Sequence, residues 1–522
     1  MKVLFIWPSK DSFGLCKPIG ISILSAIAKR SGWETKLFDT TEIDFGFVDS
    51  NKAGEEAKMF KPIDFSPYNI NKKNLSLREE FTKCFNEYNP DCLAFSVLSD
   101  EHLIAKDIVK IARELNPKIP IIWGGVFPTL NPEKVLMEYD VDYICIGEGL
   151  EAFPEFLDYL KQNKDINCIK NIWTKKNNEI IKNELRPLKR DLDDLPYLDW
   201  DLFDKRHFYK PFDGKVYIGA DHMTNWGCPY NCSYCINHFY RSKLFNNFYP
   251  LRRYSINRII DELVFLKEKY NLQFLKFQDE DFLMRPLENF KEFSEEYIKR
   301  VNLPFVIMTN SKNVTREKVE ILKKMNCVSV SLGVETGNPY IRKYMLRRID
   351  SKEDIIHASK ILKEFGIRTV SFNMLGLPFE TRHTYDETVD LNKEAGIQYP
   401  NAGFFYPFER TDLRELSIQE GFFNPDEETV YHRDKPALKF KNLTEDQLIW
   451  MKNMFNLYIK LPNIYKEFID RSELQDEIGK KLVVKLMEIY DNTVFKNDGW
   501  FVDDGNQEVY LGALRDIIDK KI

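Results

Sequence analysis

The chain has 522 residues, of which 43% are hydrophobic and 30% are charged, and its formal net charge is −6. This length predicts two or three domains, and the negative charge argues against a nucleic-acid partner because phosphate binding needs a basic face. Most of the nine cysteines are scattered along the chain, which is typical of a reducing compartment. We find neither a signal peptide nor an apolar stretch long enough to span a membrane, so we expect a cytoplasmic protein.

Residues 1–160 alternate between strand-like and helix-like segments. The strand candidates are residues 3–7, 33–38, 92–97, 119–123 and 143–146. Helical apolar periodicity runs through residues 18–30 and 101–115 and resumes after Glu151. Strands that alternate with helices predict a parallel sheet covered by helices on both faces. We therefore expect a Rossmann-like α/β domain.

Two glycine-rich stretches follow the last two of these strand candidates. Ligands of open parallel sheets bind outside the carboxyl ends of the strands, where glycine permits close approach of the backbone. The alternative for either stretch is a tight turn without a ligand. The candidate cofactor-binding residues here are Gly124, Gly125, Gly147, Glu148 and Gly149.

Two further segments carry no chemical motif. Residues 161–210 predict a connector, with a polar hairpin over 171–182 and an acidic, proline-containing surface passage over 192–200. Residues 411–522 predict a mostly helical C-terminal domain, with amphipathic helices over 444–461 and 473–490.

The sequence Cys228-Pro-Tyr-Asn-Cys232-Ser-Tyr-Cys235 places three cysteines within eight residues, just after a strand-like run. Three thiolates leave a 4Fe–4S cluster one ligand short of four, so one iron is free to bind a small molecule. The alternative is a structural zinc site completed by His238. Zinc sites more often use paired C-x2-C knuckles, so we favour the cluster.

Residues 211–410 resume the alternation of strands and helices. The six strand candidates are residues 216–220, 273–277, 305–308, 327–332, 369–374 and 402–405. Six units of this kind predict a partial (β/α)6 barrel of the TIM type, in which chemistry lies at the carboxyl ends of the strands. Asp279 and Asp281 lie at one such end, where they are candidates for a binding pocket, acid–base catalysis, a metal pair or a surface turn. We favour a pocket role for Asp279.

The cysteine loop and the barrel resemble the radical SAM superfamily. The segments KPIGISILSAIAKRSG, WGGVFPTLNPEKVL and VDYICIGEGLEAFPEFL resemble the cobalamin-binding domain that precedes the barrel in one subclass. The resemblance implies a 4Fe–4S cluster on Cys228, Cys232 and Cys235, S-adenosylmethionine (SAM) at the open iron, and cobalamin on the first domain. Some such domains supply a histidine ligand after the first strand. Residues 9–14 contain none, so the resemblance implies cobalamin without that ligand.

The same resemblance implies SAM contacts at the ends of the barrel strands. Tyr234 would flank the adenine, Glu335 would engage polar groups of SAM, and Asn373 would lie in a later contact region. Arg347 or Arg348 would pair with the SAM carboxylate, because guanidinium binds carboxylates bidentately. The alternatives are a helix cap or salt bridge for Glu335 and a solvated surface for both arginines.

The family scheme implies an enzyme, and the leading hypothesis is a cobalamin-dependent methyltransferase. It would act on an unactivated carbon of a small molecule or biosynthetic intermediate, and it would need an external electron donor such as flavodoxin or ferredoxin. One alternative is a radical SAM enzyme of the same architecture that catalyses oxidative cyclisation or rearrangement. A second alternative is a non-catalytic zinc-binding module.

Overall fold

The fold is described from a computed structural model of the chain. The structure describes residues 1–11, 13–14, 16–46, 54–55, 57–59, 61–246, 251–426 and 435–519. Within these ranges, no helix combines the length and the hydropathy that a membrane span requires.

The first sheet has seven strands in the spatial order β2-β1-β3-β4-β5-β6-β7. In chain order they are β1 Lys2–Trp7, β2 Glu34–Asp39, β3 Cys92–Ser96, β4 Ile121–Gly124, β5 Tyr143–Cys145, β6 Ile172–Lys176 and β7 Glu179–Ile181. The first five are parallel, as predicted. The hairpin of β6 and β7 lies in the segment expected to be a connector, and it pairs antiparallel with β5. The sheet therefore extends past residue 160, the boundary expected for the first domain.

Both faces of the first sheet are covered, because successive side chains of a strand point to opposite faces. Val3 and Phe5 pack in one core with the helices Ile19–Arg30 and Ala152–Lys161. Leu4 and Ile6 pack in another core, with the side chains of a different set of helices. Those helices are Leu77–Tyr88, His102–Leu115, Val126–Leu130 and Pro132–Glu138. The predicted Rossmann-like architecture is confirmed.

The second sheet has seven strands in the order β16-β15-β14-β13-β12-β9-β8. They are β8 Tyr209–Phe212, β9 Lys215–His222, β12 Phe274–Phe277, β13 Phe305–Thr309, β14 Cys327–Glu335, β15 Arg368–Leu375 and β16 Tyr399–Phe404. A separate two-stranded ribbon, β10 Asn225–Trp226 and β11 Arg252–Arg253, lies between β9 and β12 in the chain. Six strands are parallel, and β8 pairs antiparallel with β9. This is the predicted six-stranded partial barrel.

Helices cover the outside of the barrel and form most of the C-terminal region. The barrel helices are Ile236–Phe239, Ile256–Tyr270, Leu287–Arg300, Arg316–Lys324, Lys352–Glu364 and Arg382–Glu394, with π-helical turns at Tyr240–Leu244 and Ile341–Met345. The C-terminal helices are Asp412–Gln419, Glu445–Lys460, Lys466–Ser472, Glu477–Thr493 and Gln507–Asp519. Their core also contains Ala57 and Met59 from the first domain, and Asn456 Nδ2 donates to the Ala57 carbonyl at 3.0 Å.

Gly125 is a position where the fold requires glycine. Its φ of 100° and ψ of −164° lie in a region that only glycine occupies readily. An added Cβ would also lie 2.9 Å from the Val97 carbonyl oxygen. Gly32 has a φ of +77° but open space around it, and Gly512 is helical with open space. Substitutions at these three glycines therefore distinguish the cost of backbone strain from the cost of a steric clash.

We therefore expect Gly125→Ala to lower the melting temperature most, with a cost of roughly 2–3 kcal/mol or more. Gly32→Ala should cost about 1 kcal/mol from backbone conformation alone. Gly512→Ala should stabilise by about 0.5–1 kcal/mol, because alanine is the better helix former. Thermal unfolding of the three variants measures this order, and an unchanged melting temperature for Gly125→Ala would contradict it.

Candidate active site

The three-cysteine loop lies at the carboxyl end of the barrel, as the sequence predicts. Strand β9 ends at His222, the ribbon strand β10 follows, and Cys228 comes two residues later. The ribbon pairs Trp226 with Arg252, so the loop begins from a fixed backbone.

Asp279 anchors the entrance to this loop. The side chain is fully buried at the end of β12. Its carboxylate accepts hydrogen bonds from the backbone N–H groups of Thr224 and Asn225 at 3.1 and 2.9 Å, and from both of their side chains. Every donor belongs to the chain that leads into the cysteine loop. The pocket role that the sequence favours for Asp279 is therefore replaced by a structural one.

Asp281 and Ser233 anchor the loop itself. The Tyr230 hydroxyl donates to Asp281 Oδ2 at 2.9 Å, and Asn313 Nδ2 donates to the same oxygen at 2.7 Å. On the other side, Ser233 N donates to the Leu346 carbonyl at 3.2 Å, and Leu413 N donates to the Ser233 carbonyl at 3.0 Å. The loop is thus held from both sides before any metal binds.

Burial raises the pKa of the Cys228 and Cys235 thiols to about 12 and also raises that of Cys232. Cluster binding therefore has to displace protons, as is usual for thiolate sites. In the part of the chain that the structure describes, no three Cys, His, Asp or Glu side chains converge on one ion. Thiolates that each bind a different iron need not converge, so the loop fits a cluster. His238 Nε2, the fourth ligand of the zinc alternative, contacts Asp412 at 3.0 Å.

Three of the predicted SAM residues meet beside Cys232. Glu335, Arg348 and Tyr234 interact electrostatically with one another and with the Cys232 thiol. Arg348 is fixed by Asp350 through bonds of 2.9 and 3.1 Å, and it donates to the Gly333 carbonyl at 2.7 Å. A carboxylate, a guanidinium and a phenol beside the cluster loop can contact the amino, carboxylate and adenine groups of SAM.

Glu335 occupies a strained position. It follows an irregularity in the register between β14 and β15, and its φ is +62°. Burial raises the pKa of its carboxyl, against the effect of Arg348. Non-glycine residues in this conformation are uncommon and often mark functional sites.

The structure separates the two arginines that the sequence leaves unresolved. Arg348 points into the site, whereas Arg347 is 45% exposed and pairs with Asp412 at 2.7 Å. Arg347 also contacts His238 at 3.3 Å. Of the two, Arg348 is therefore the arginine that lies beside Glu335, Tyr234 and Cys232.

Asn373 faces away from this site. Its Nδ2 donates to Ser371 Oγ at 2.9 Å and to the Asn401 carbonyl at 3.0 Å, and its Oδ1 accepts from Asn392 at 2.8 Å. Asn392 lies on the helix Arg382–Glu394, outside the barrel. The predicted SAM contact of this side chain is corrected to a structural amide network, because strand alternation turns Asn373 outward.

Glu280 is a candidate site residue that the sequence analysis missed. Solvent reaches its side chain, yet its carboxylate hydrogen-bonds Asn237 and acts electrostatically on Cys235 and Cys228. Its carboxylate therefore lies near the cysteines, and desolvation by the surrounding protein raises the pKa of its carboxyl. The only available signal was its position between two aspartates at a strand end.

All five candidate residues of the first domain line one cavity of about 240 Å³. Its remaining walls include Ile21, Leu24, Phe153 and, from the barrel region, Tyr240 and Phe245. None of the described lining residues is a histidine. A cavity with mostly apolar walls beside these glycines could hold part of a cobalamin, and no described lining residue would supply an imidazole ligand.

Two contacts join this cavity to the barrel. An added Cβ on Gly147 would lie 3.1 Å from the Phe245 ring. Glu148, which lines the cavity and was predicted as a cofactor contact, also receives two bonds from the buried Arg252, at 2.8 and 3.1 Å. Glu148 therefore docks the first domain against the ribbon that carries the cysteine loop.

Comparison with known proteins agrees with this geometry. Residues 226–391 match the Radical SAM superfamily, and residues 11–157 match the B12 binding domain. The chain is 26% identical over 418 residues to an uncharacterized methyltransferase of Pyrococcus horikoshii, across 79% of this chain and 87% of that protein. It is 25% identical over 430 residues to an anaerobic magnesium-protoporphyrin IX monomethyl ester cyclase of Rubrivivax gelatinosus, across 79% and 69%.

The fold is also similar to that of a solved structure. OxsB, a cobalamin-dependent S-adenosylmethionine radical enzyme solved with aqua-cobalamin and S-adenosylmethionine bound, has a TM-score of 0.64. The identity is 15%, and the match covers 98% of this chain and 75% of that chain.

The cysteine loop on a partial barrel and the glycine-lined cavity on a Rossmann-like domain define a radical SAM enzyme with a cobalamin-binding domain. The chain belongs to the radical SAM superfamily and carries a B12-binding domain ahead of its barrel. Its cofactors are a 4Fe–4S cluster, SAM and cobalamin.

We expect Arg348→Met to weaken SAM binding about tenfold or more, because hydrogen bonds to charged groups contribute roughly 1.5–3 kcal/mol. Arg347→Met is the matched control. It should change SAM affinity by less than about twofold, because that side chain points outward and exposed ion pairs contribute little. Equilibrium dialysis of SAM against the cluster-loaded proteins, at equal iron content, measures both. Equal losses in the two variants would contradict the assignment.

Proposed function

We propose that the chain is a cobalamin-dependent radical SAM methyltransferase that methylates an unactivated carbon of a small molecule or biosynthetic intermediate. The observation that carries this proposal is the short separation of the two cofactor sites. The Tyr240 hydroxyl lines the cobalamin cavity and hydrogen-bonds Thr129 of the first domain. Glu280 acts electrostatically on Tyr240 and also on Cys235. Tyr240 also begins the π-helical turn Tyr240–Leu244, five residues after Cys235, so a short stretch of chain connects the cluster loop to the cobalamin cavity.

When bound, the cluster and SAM supply a radical that removes a hydrogen atom from the substrate, and cobalamin supplies the methyl group. The residues of the chain would bind and orient these cofactors. Arg348, Glu335 and Tyr234 would hold SAM, and Phe245 and Tyr240 would exclude water between the two sites. Because this chemistry consumes an electron, the proposal includes an external donor such as flavodoxin or ferredoxin.

A second candidate is a radical SAM enzyme of the same architecture that closes a ring or rearranges its substrate without methyl transfer. It is favoured by the 25% identity to the magnesium-protoporphyrin ester cyclase of Rubrivivax gelatinosus. The two candidates differ in product composition, because only methylation adds a carbon atom.

We expect the anaerobically purified protein, supplied with cobalamin, reductant and trideuteromethyl-SAM, to transfer the labelled methyl group to a substrate from extracts of its source. Mass spectrometry detects the labelled product, and 5′-deoxyadenosine should accumulate with it. The control with Ala at Cys228, Cys232 and Cys235 should lose its iron and form no 5′-deoxyadenosine. A product of altered mass without the label would favour the second candidate, and 5′-deoxyadenosine from the control would refute the cluster assignment.

We expect Arg252→Met to reduce methyl transfer more than 5′-deoxyadenosine formation, because its pair with Glu148 holds the two cofactor sites together. Loss of one partner of a buried ion pair costs roughly 3–5 kcal/mol. Arg410→Met is the matched control, since its 3.1 Å pair with Glu133 also joins the two regions but is exposed. The ratio of labelled product to 5′-deoxyadenosine measures the effect. An unchanged ratio for Arg252→Met would contradict this role.

A further inference from the structure

A second, larger cavity lies inside the barrel, below the level of the cysteine loop. Its volume is about 410 Å³, within the range of roughly 300–1,000 Å³ typical of small-molecule sites. Its walls include Arg368 and Tyr399, which begin strands β15 and β16. The cavity therefore occupies the amino-terminal and middle parts of the barrel, and we call it the barrel chamber.

The barrel chamber contains one cation without a partner. Lys276 points inward from β12 and forms no hydrogen bond or ion pair with any described residue. Asp221, which interacts electrostatically with Lys276, is fully buried and already bonded by Lys210 at 2.6 Å and by Gln278 at 2.9 Å. An ammonium group that the protein leaves unpaired in a cavity is available to an anionic ligand.

The charges at the far end of the barrel chamber are neutralised. Arg368 pairs with Asp213 at 2.8 Å and with Asp498 at 2.9 Å. Lys61 pairs with the same two carboxylates, at 3.2 and 3.5 Å. Among the described cations that line the chamber, Lys276 is therefore the one that these carboxylates do not pair, about halfway up the barrel, and Glu55 lies on the same lining.

The other walls combine hydrogen-bonding and apolar groups. Ser329 and Ser331 contribute hydroxyls, and Asn401 Oδ1 is buried without a hydrogen-bond partner. Phe372 is 40% exposed although it lies inside the barrel, and Phe274 lies in the same cavity. These rings offer an apolar surface to a ligand.

The barrel chamber lies directly below the SAM residues. Ser331 lines the chamber, and Gly333 is two residues further along β14, about 6.8 Å by strand geometry. An added Cβ on Gly333 would lie 2.6 Å from Glu335 Oε1 and 3.2 Å from the Arg348 guanidinium. A ligand in the chamber therefore ends one side-chain layer beneath Glu335 and Arg348.

We infer that the barrel chamber is the substrate site and that the substrate carries an anionic group on an apolar or aromatic body. Lys276 binds the anion, the Ser331 hydroxyl hydrogen-bonds a polar group of the substrate, and Phe274 and Phe372 contact the apolar part. This inference rests on the proposed function, because it assigns the substrate of the same active site.

Two dyes that differ by one sulfonate test this inference. We expect 8-anilinonaphthalene-1-sulfonate to bind the full-length protein more tightly than the neutral N-phenyl-1-naphthylamine. Lys276→Met should weaken the sulfonate dye about tenfold or more and leave the neutral dye within about twofold, since only the charge-assisted bond is lost. Lys276→Arg should retain the affinity for the sulfonate dye. Lys324→Met, on the outer surface, is the matched control and should change neither.

Ser331→Leu places a larger side chain in the barrel chamber and should weaken binding of both dyes. Fluorescence titration measures each affinity, and the melting temperature shows that each variant is folded. Equal affinities of Lys276→Met and Lys324→Met for the sulfonate dye would overturn the assignment of Lys276. Undiminished binding of both dyes to Ser331→Leu would overturn the chamber as their site. SAM cleavage by the unaltered protein tests the proposed function separately. The substrate-site inference can therefore fail in the dye titrations while the proposed function stands, and the reverse.

Discussion

Two buried carboxylates at the end of β12 fix the loop on which the active site depends. A buried carboxylate is tolerated only when hydrogen-bond donors surround it. Asp279 takes its donors from Thr224 and Asn225, at the entrance to the loop, and Asp281 takes one from Tyr230 within it. Movement of the loop and its entrance would leave Asp279 without these donors and would remove one donor from Asp281, at a cost of several kcal/mol. The three cysteines are therefore positioned by the protein before the cluster binds.

A buried charged side chain with fixed partners also joins the two domains. Parallel strands place their carboxyl ends at one edge of each sheet, and both cofactor sites lie at such edges. Arg252 is bonded twice by Glu148 and once by the Lys189 carbonyl, at 2.7 Å. Because this guanidinium belongs to the ribbon next to the cysteine loop, the pair fixes the first domain against the barrel edge. The closeness of the cofactor sites thus follows from one desolvated ion pair and the apolar contact of Gly147 with Phe245.

The sequence predicts features that depend on local patterns and fails where distant partners decide. Apolar periodicity located the parallel strands of both sheets but not β8, and spacing identified the cysteine loop. The 172–181 hairpin was expected, but its pairing with β5 depends on tertiary contact. Neighbouring residues such as Arg347 and Arg348 are equivalent in sequence and become different only in the folded turn. The SAM contact predicted for Asn373 was wrong because it followed from the family resemblance. Strand alternation points Phe372 inward and Asn373 outward.

The strain at Glu335 is maintained by a buried network of charged side chains. Arg342 donates to the carbonyls of Val334 and Thr336, one on each side of Glu335. Asp350, fully buried, accepts from both Arg342 and Arg348. The backbone of Glu335 and the guanidinium of Arg348 are thus held by one carboxylate, and strained conformations persist only when their surroundings determine them in this way. Since the space beside Gly333 is filled by these two side chains, the site keeps one arrangement of the carboxylate and guanidinium above the barrel chamber.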